Sequence, residues 1–307
     1  TTASNNTFVG FVTGGAVTTG ASNTFIGALA GDAVTTGTTS VLIGQNAGGA
    51  MTTASENVII GNNAGAALTT GGQNILIGDN AGAGGAITGI RNVAVGDNAL
   101  YSVVGAGGNI AIGYAAGNAV TSGDNNVFVG TSACDAATTA HSSVFIGNNA
   151  GGAFTTGNAT VAVGMSSLLT GTTASATTTV GFEAGKVITT GTHNTVVGCQ
   201  AGLAATTCTY NTLIGVEAGK LITTGPNNTS VGYQANNITT TGGKNNIIGM
   251  LCRTSGADVD NEVVLGSNGM VGKGASTAFI SGGNGAVYAG NNSASFSTTS
   301  DRRIKKN

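Results

Sequence analysis

The sequence contains no tryptophan, one proline, two histidines and little charge: Asp, Glu, Lys and Arg make up 7% of its 307 residues. Each scarcity removes a class of function. The formal charge is −2, and four of the ten basic residues lie in the last seven positions; without that segment, six basic residues face eleven acidic ones, spread thinly. Such weak acidity argues against nucleic acid as a partner, because phosphates demand clustered Lys and Arg to replace their counterions. No apolar run approaches the roughly 20 residues of a membrane span, so membrane insertion is not expected. The four cysteines, Cys134, Cys199, Cys208 and Cys252, show no CxxC spacing, and His141 and His193 do not complete a cluster around them. Free thiols are expected, with no metal and no cofactor.

What the chain has in abundance is Gly (54 residues), Thr, Asn and Ala. That composition alone is compatible with low-complexity disorder. A hydrophobic fraction of 40% and a strict periodicity argue otherwise. The Gly that closes "NTFIG", "NVIIG" and "NILIG" recurs sixteen times from Gly10 to Gly266, and fourteen of the fifteen intervals are 17 residues. The exception, Gly78 to Gly96, is 18 residues. A register held this long marks a solenoid of stacked repeats rather than a globular enzyme. The fold class is therefore all-β: a parallel β-solenoid of sixteen repeats, about 75 Å long at the usual ~4.8 Å strand spacing.

Each phase of the repeat has a physical reading. The residue before the anchor Gly is Val or Ile in fifteen repeats, with Leu265 in the last, and the residue two earlier is mostly Val, Ile or Thr. Spaced by two, these pairs share one face of a short strand, which we assign to the interior. Ala three residues after the anchor, in twelve repeats, suits a narrow corner. Asn four before the anchor, in eleven repeats, predicts a ladder of amides bonding along the stack. The "TTG" half of the repeat reads as a second, shorter strand.

The position two before the anchor lies on the opposite face from that pair, yet it is apolar in fourteen repeats. It includes Phe8, Phe25, Leu42, Ile59, Leu76, Phe128, Phe145, Leu213 and Ile247. A strand apolar on both faces is buried on both. This stripe is expected to be the interface of a homo-oligomer, since an exposed patch so long invites aggregation.

The segments "NNVFVGTSA", "NTFIGALAG" and "NVIIGNNAG" resemble the N-S-V-A-I-G-x-x-S motif of trimeric autotransporter adhesin heads, the YadA-like β-roll, over most of residues 5–266. The resemblance implies a narrow left-handed roll with three chains packed around a central axis. The repeat here is longer than that family's unit, and Ala-Gly stands where its Ser stands. The last eight residues, "SDRRIKKN", are similar to the opening of the intramolecular chaperone (peptidase S74) domain found at the C-termini of bacteriophage tail fibres and tailspikes. That resemblance implies self-cleavage between Ser300 and Asp301, with Ser300 as nucleophile and Lys305 as its base. It also implies a module that continues past Asn307.

Three regions follow: a shaft over 1–266, a cap or tip over 267–299 where the period stops, and the start of the chaperone over 300–307. The expected function is structural: a homotrimeric phage tail fibre in the virion, attaching to a host receptor that is a glycan or an outer-membrane component. A bacterial trimeric adhesin at the cell surface is the alternative. An ice-binding solenoid, built on Thr pairs such as Thr18/Thr19 and Thr35/Thr36, ranks below both, because the array is interrupted and sits beside a turn. Apart from self-cleavage no enzyme is expected: Asp and Glu are scattered, and facing carboxylates of the glycosidase kind are not apparent.

Overall fold

The computed structural model describes residues 2–282, 286–289 and 297–298. The chain is an all-β parallel solenoid, with no helix among the described residues. It divides into two compact units, Thr1–Thr160 and Val161–Asn307. The first holds β1 (Thr7–Val9), β2 (Thr24–Ile26), β3 (Val41–Ile43), β4 (Val58–Ile60), β5 (Ile75–Ile77), β6 (Val93–Val95), β7 (Ile110–Ile112), β8 (Val127–Val129) and β9 (Val144–Ile146). The second holds β10 (Val161–Val163), β11 (Thr178–Val180), β12 (Thr195–Val197), β13 (Thr212–Ile214), β14 (Thr229–Val231), β15 (Asn246–Ile248), β16 (Val263–Gly266) and β17 (Ala278–Ser281). Within each unit these strands pair in parallel, one repeat to the next, so that Phe8 stands beside Phe25 and Thr179 beside Val196.

Strands β1 to β15 are three residues long because both ends carry a backbone that cannot continue a sheet. The residue five before each anchor is left-handed, as at Ser22 (φ 59°), Gln73 (φ 61°) and Tyr210 (φ 59°). The anchor itself, from Gly10 to Gly249, has φ between 130° and 144°, a region open to glycine alone. Space demands glycine as well: a Cβ on Gly44 would sit 2.3 Å from the carbonyl oxygen of Gly61, one repeat on. Only bare backbone lets successive coils approach so closely.

The interior is the reverse of the sequence expectation. The middle strand residue points in: Phe25, Leu42, Ile59, Leu76, Phe128, Phe145, Leu213 and Ile247 are all fully buried within their own chain. Phe8, in the first coil, is 37% exposed. The flanking pair, assigned to the interior, points out. Two other phases complete the core, the Ala after the anchor (Ala47, Ala64, Ala81) and an apolar residue further on (Val34, Met51, Leu68). The core has little spare room. At Gly151 an added Cβ would lie 2.3 Å from the Phe145 ring. Where that phase carries a large residue, Leu100 or Leu168, the strand centre of the same coil shrinks to Ala94 or Ala162. All four of these side chains are buried, so in these two coils the exchange keeps the core volume.

The Asn column forms the ladder its periodicity predicts. Asn109 Nδ2 donates to the Gly123 carbonyl (2.8 Å), and its Oδ1 accepts from the backbone N–H of Asn126 (3.0 Å). The same pair of bonds recurs at Asn57, Asn74, Asn92 and Asn211. In the second unit the column ends on Glu262, also buried, whose carboxylate accepts from the N–H and hydroxyl of Ser255 and the N–H of Gly274. The "TTG" half forms no strand, contrary to expectation. Its first Thr instead donates a hydroxyl to the carbonyl of its counterpart one repeat on, as Thr121 does to Thr138 (3.2 Å). Beyond Gly266 the 17-residue period stops, and β17 pairs in parallel with β16 but antiparallel with β18 (Ala286–Ala289), which in turn pairs with β19 (Ser297–Thr298).

Asn109→Ala should cost about 2–4 kcal/mol, since it strips partners from the buried Gly123 carbonyl and Asn126 N–H. Asn109→Ser should cost less, because a hydroxyl can still accept that N–H, as Ser40 does for Asn57. Urea denaturation of the two variants measures the difference.

Candidate functional site

The distinguishing surface is the outward face of the strand row. Inward and outward side chains alternate along a strand. With the middle residue inside, the first and third of each strand face out. In the first unit these positions are Thr7/Val9, Thr24/Ile26, Val41/Ile43, Val58/Ile60, Ile75/Ile77, Val93/Val95, Ile110/Ile112, Val127/Val129 and Val144/Ile146: sixteen of eighteen are Val or Ile, and none is charged. They are half-buried or exposed, with Ile112 at 42% and Ile146 at 38%.

In the second unit the apolar stripe moves one column toward the turn. The first strand position becomes Thr178, Thr195, Thr212 and Thr229. The residue after the anchor becomes Met165, Phe182, Val216, Tyr233 and Met250, all exposed. In the first unit that column includes Gln45, Asn62, Asp79 and Asp97. With Phe11 and Tyr114 also exposed in the first unit, the face has a mixed margin there and an aromatic and Met-rich one in the second.

Beside this margin in the second unit, Glu183 and Glu217 stand two repeats apart. Lys186 Nζ lies 2.7 Å from Glu183 Oε1, and Gln200 donates to Oε2 at 2.8 Å; Lys220 and Gln234 repeat the arrangement around Glu217, at 2.7 Å each. The hydrogen bond from the lysine, then that from the glutamine, holds each carboxyl below the usual carboxylate range. These are the ion pairs that the Glu-x-x-Lys spacing suggests, though half-buried rather than exposed. Cys199 lies in the margin column with Phe182 and Val216 and is exposed, whereas Cys134, Cys208 and Cys252 are buried, and all four are free thiols. Burial pushes the Cys208 thiol up to about 11 and the Cys134 thiol well above its ordinary value. No group of three His, Cys, Asp or Glu side chains among the described residues is placed to hold a metal.

Eight of the nine residues expected at an interface are therefore core residues of their own chain, and Phe8, in the first coil, is 37% exposed. The face that remains for a partner is built by their neighbours, and the sequence carries a signal for this only once the closed coil has buried the Asn column. A buried Asn ladder two residues before the strand centre shares its parity, so burial of the Asn dictates burial of the Phe, Leu or Ile. Ser300 and Lys305, the self-cleavage pair implied by resemblance, lie outside the described residues. Comparison with protein-family models, curated proteins and solved structures gives no match.

Reversed parity separates two phenotypes. Phe128→Ala should destabilise the fold by roughly 3–5 kcal/mol through a core cavity. Ile112→Asp, on the outward face, should leave the unfolding of an isolated chain nearly unchanged. Melting curves compared with native mass tell them apart. The Glu183 and Glu217 pairs also predict an acid-side dependence. Their folded pKa is lowered, so their contribution is present above the unfolded carboxylate value and is lost as pH falls through the lowered one. A Glu183→Gln, Glu217→Gln double variant should melt with a shallower loss of stability below about pH 4.5.

Proposed function

We propose that this chain is a structural fibre protein, the shaft and tip of a homotrimeric bacteriophage tail fibre that attaches the virion to a host-cell receptor. One observation carries the structural half: an uncharged row of Val and Ile, repeated coil after coil, on the outward face of a solenoid. Apolar faces of this length are rare on monomers. The occupant best matched to it is another copy of the same chain, because only a surface with the same repeat keeps every coil in register. A standard interface takes about 800 Å² per partner, which nine coils supply at roughly 90 Å² each. Copies packed about an axis along the stack would bury the face continuously, as the adhesin-head resemblance implies for three chains.

The phage assignment rests on the resemblance of "SDRRIKKN" to the chaperone opening. Such a module trimerises a fibre and then leaves by cleavage before Asp301, which is the single catalytic step this reading contains. The receptor class is a glycan or an outer-membrane component. The bacterial surface adhesin remains the second reading, supported by the repeat motif itself.

Light scattering before and after mild detergent should give a mass near three chains that survives the detergent. An Ile112→Asp, Ile146→Asp variant should fall to one chain while keeping its β-sheet circular dichroism. Oxidative cross-linking through Cys199 adds a check on parallel, in-register packing. A wild-type chain that stays monomeric at micromolar concentration would overturn the assembly.

A further inference from the structure

We infer that a groove in the first unit is a binding site for a neutral hexose of a glycan. It lies beside the single 18-residue repeat, measures about 220 Å³, and is lined where Gly72 and Ile90 place no polar side chain. At the phase six before the anchor, a polar side chain of one coil caps a backbone N–H of the coil before it in several coils, whereas Gly, Ala, Ile or Pro at that phase cannot. Ser55 Oγ accepts from Thr38 N, Asp124 Oδ1 from Gly107 N (2.7 Å), and His141 Nδ1 from Asp124 N. In the groove this column reads Ser55, Gly72, Ile90. Gly72 offers no cap to Ser55, and Ile90 offers none to Gly72. The N–H groups of Ser55 and Gly72 accordingly find no acceptor among the described residues, and both face the space where the caps would stand.

The walls carry the complementary chemistry. On one side Glu56 and Gln73 line the groove, and Arg91, outside the lining, continues their stack; each is left-handed at φ 61–62°. Gln73 Nε2 donates to Glu56 Oε2 (2.9 Å), and Arg91 Nε donates to Gln73 Oε1 (3.2 Å). On the other side the Thr53 and Thr70 hydroxyls line the groove, and Ile90, 44% exposed, supplies an apolar end wall. The site therefore offers backbone donors, a carboxylate acceptor and hydroxyls of either role around a small apolar patch. A ligand whose every hydroxyl both donates and accepts satisfies this set; an isolated anion would meet Glu56, and an isolated cation the two N–H groups. The inference stands on the groove alone and does not depend on the fibre reading or on assembly.

Saturation-transfer NMR on the full chain, with glucose, galactose and mannose and disaccharides of each as probes, tests it. At least one should receive saturation. Gly72→Asp should weaken binding about tenfold or more by capping Ser55 N–H as Asp124 caps Gly107, with an unchanged melting temperature as the control for folding. Glu56→Ala, a surface change, should weaken it as well. Transfer to none of the sugars, binding of sulfate or an acidic sugar alone, or equal transfer to wild type and both variants would overturn the assignment.

Discussion

Everything in this structure depends on one constraint: residues 17 apart must stand on top of one another at strand spacing. The anchor glycines make it possible, because their φ of 130–144° and bare Cα let one coil's backbone touch the carbonyl of the next. Once that contact exists, like is stacked on like. Asn bonds Asn, Thr hydroxyls bond the carbonyls of the next Thr, Phe8 stacks on Phe25 and Phe128 on Phe145. A single substitution is felt by the coil before it and the coil after it. The same logic explains the low charge, since a column of identical charges at strand spacing would repel itself. In one charged column the carboxylates alternate with amides, as in Glu183, Gln200, Glu217 and Gln234.

A coil of 17 residues encloses too little volume for a conventional core, and the molecule manages this in two ways. Large and small side chains are exchanged within a coil, as in the Ala94/Leu100 and Ala162/Leu168 pairs. Part of the interior is polar and hydrogen-bonded along the stack, which satisfies backbone groups that a narrow roll cannot pair in its own sheet. Departures from this economy are few and local. Ser230 replaces an apolar strand centre, and its buried hydroxyl has no partner. Gly72 leaves a cap unmade in the lining of a groove. Regularity supplies the stability, and breaks in it supply the places where something else can bind.

Much of this was legible in the sequence. Spacing of the glycines determined the all-β parallel solenoid, its register and the 18-residue coil; the Asn column determined the ladder; and the Glu-x-x-Lys spacing in two coils determined the ion pairs, though not their half-burial. All of these are properties of period, which a linear sequence states directly. Which face of the strand turns inward is a different kind of property. Val9, Phe8 and Thr7 are all compatible with burial, and a three-residue strand is too short for alternation to break the tie. The tertiary structure decided it through the left-handed residue before the strand and the glycine after it, which aim Asn and the strand centre into the coil together. It also decided that the "TTG" half would be a hydrogen-bonded turn, because closing a coil in 17 residues leaves no length for a second strand. Period belongs to the sequence; the direction a side chain faces belongs to the closed coil.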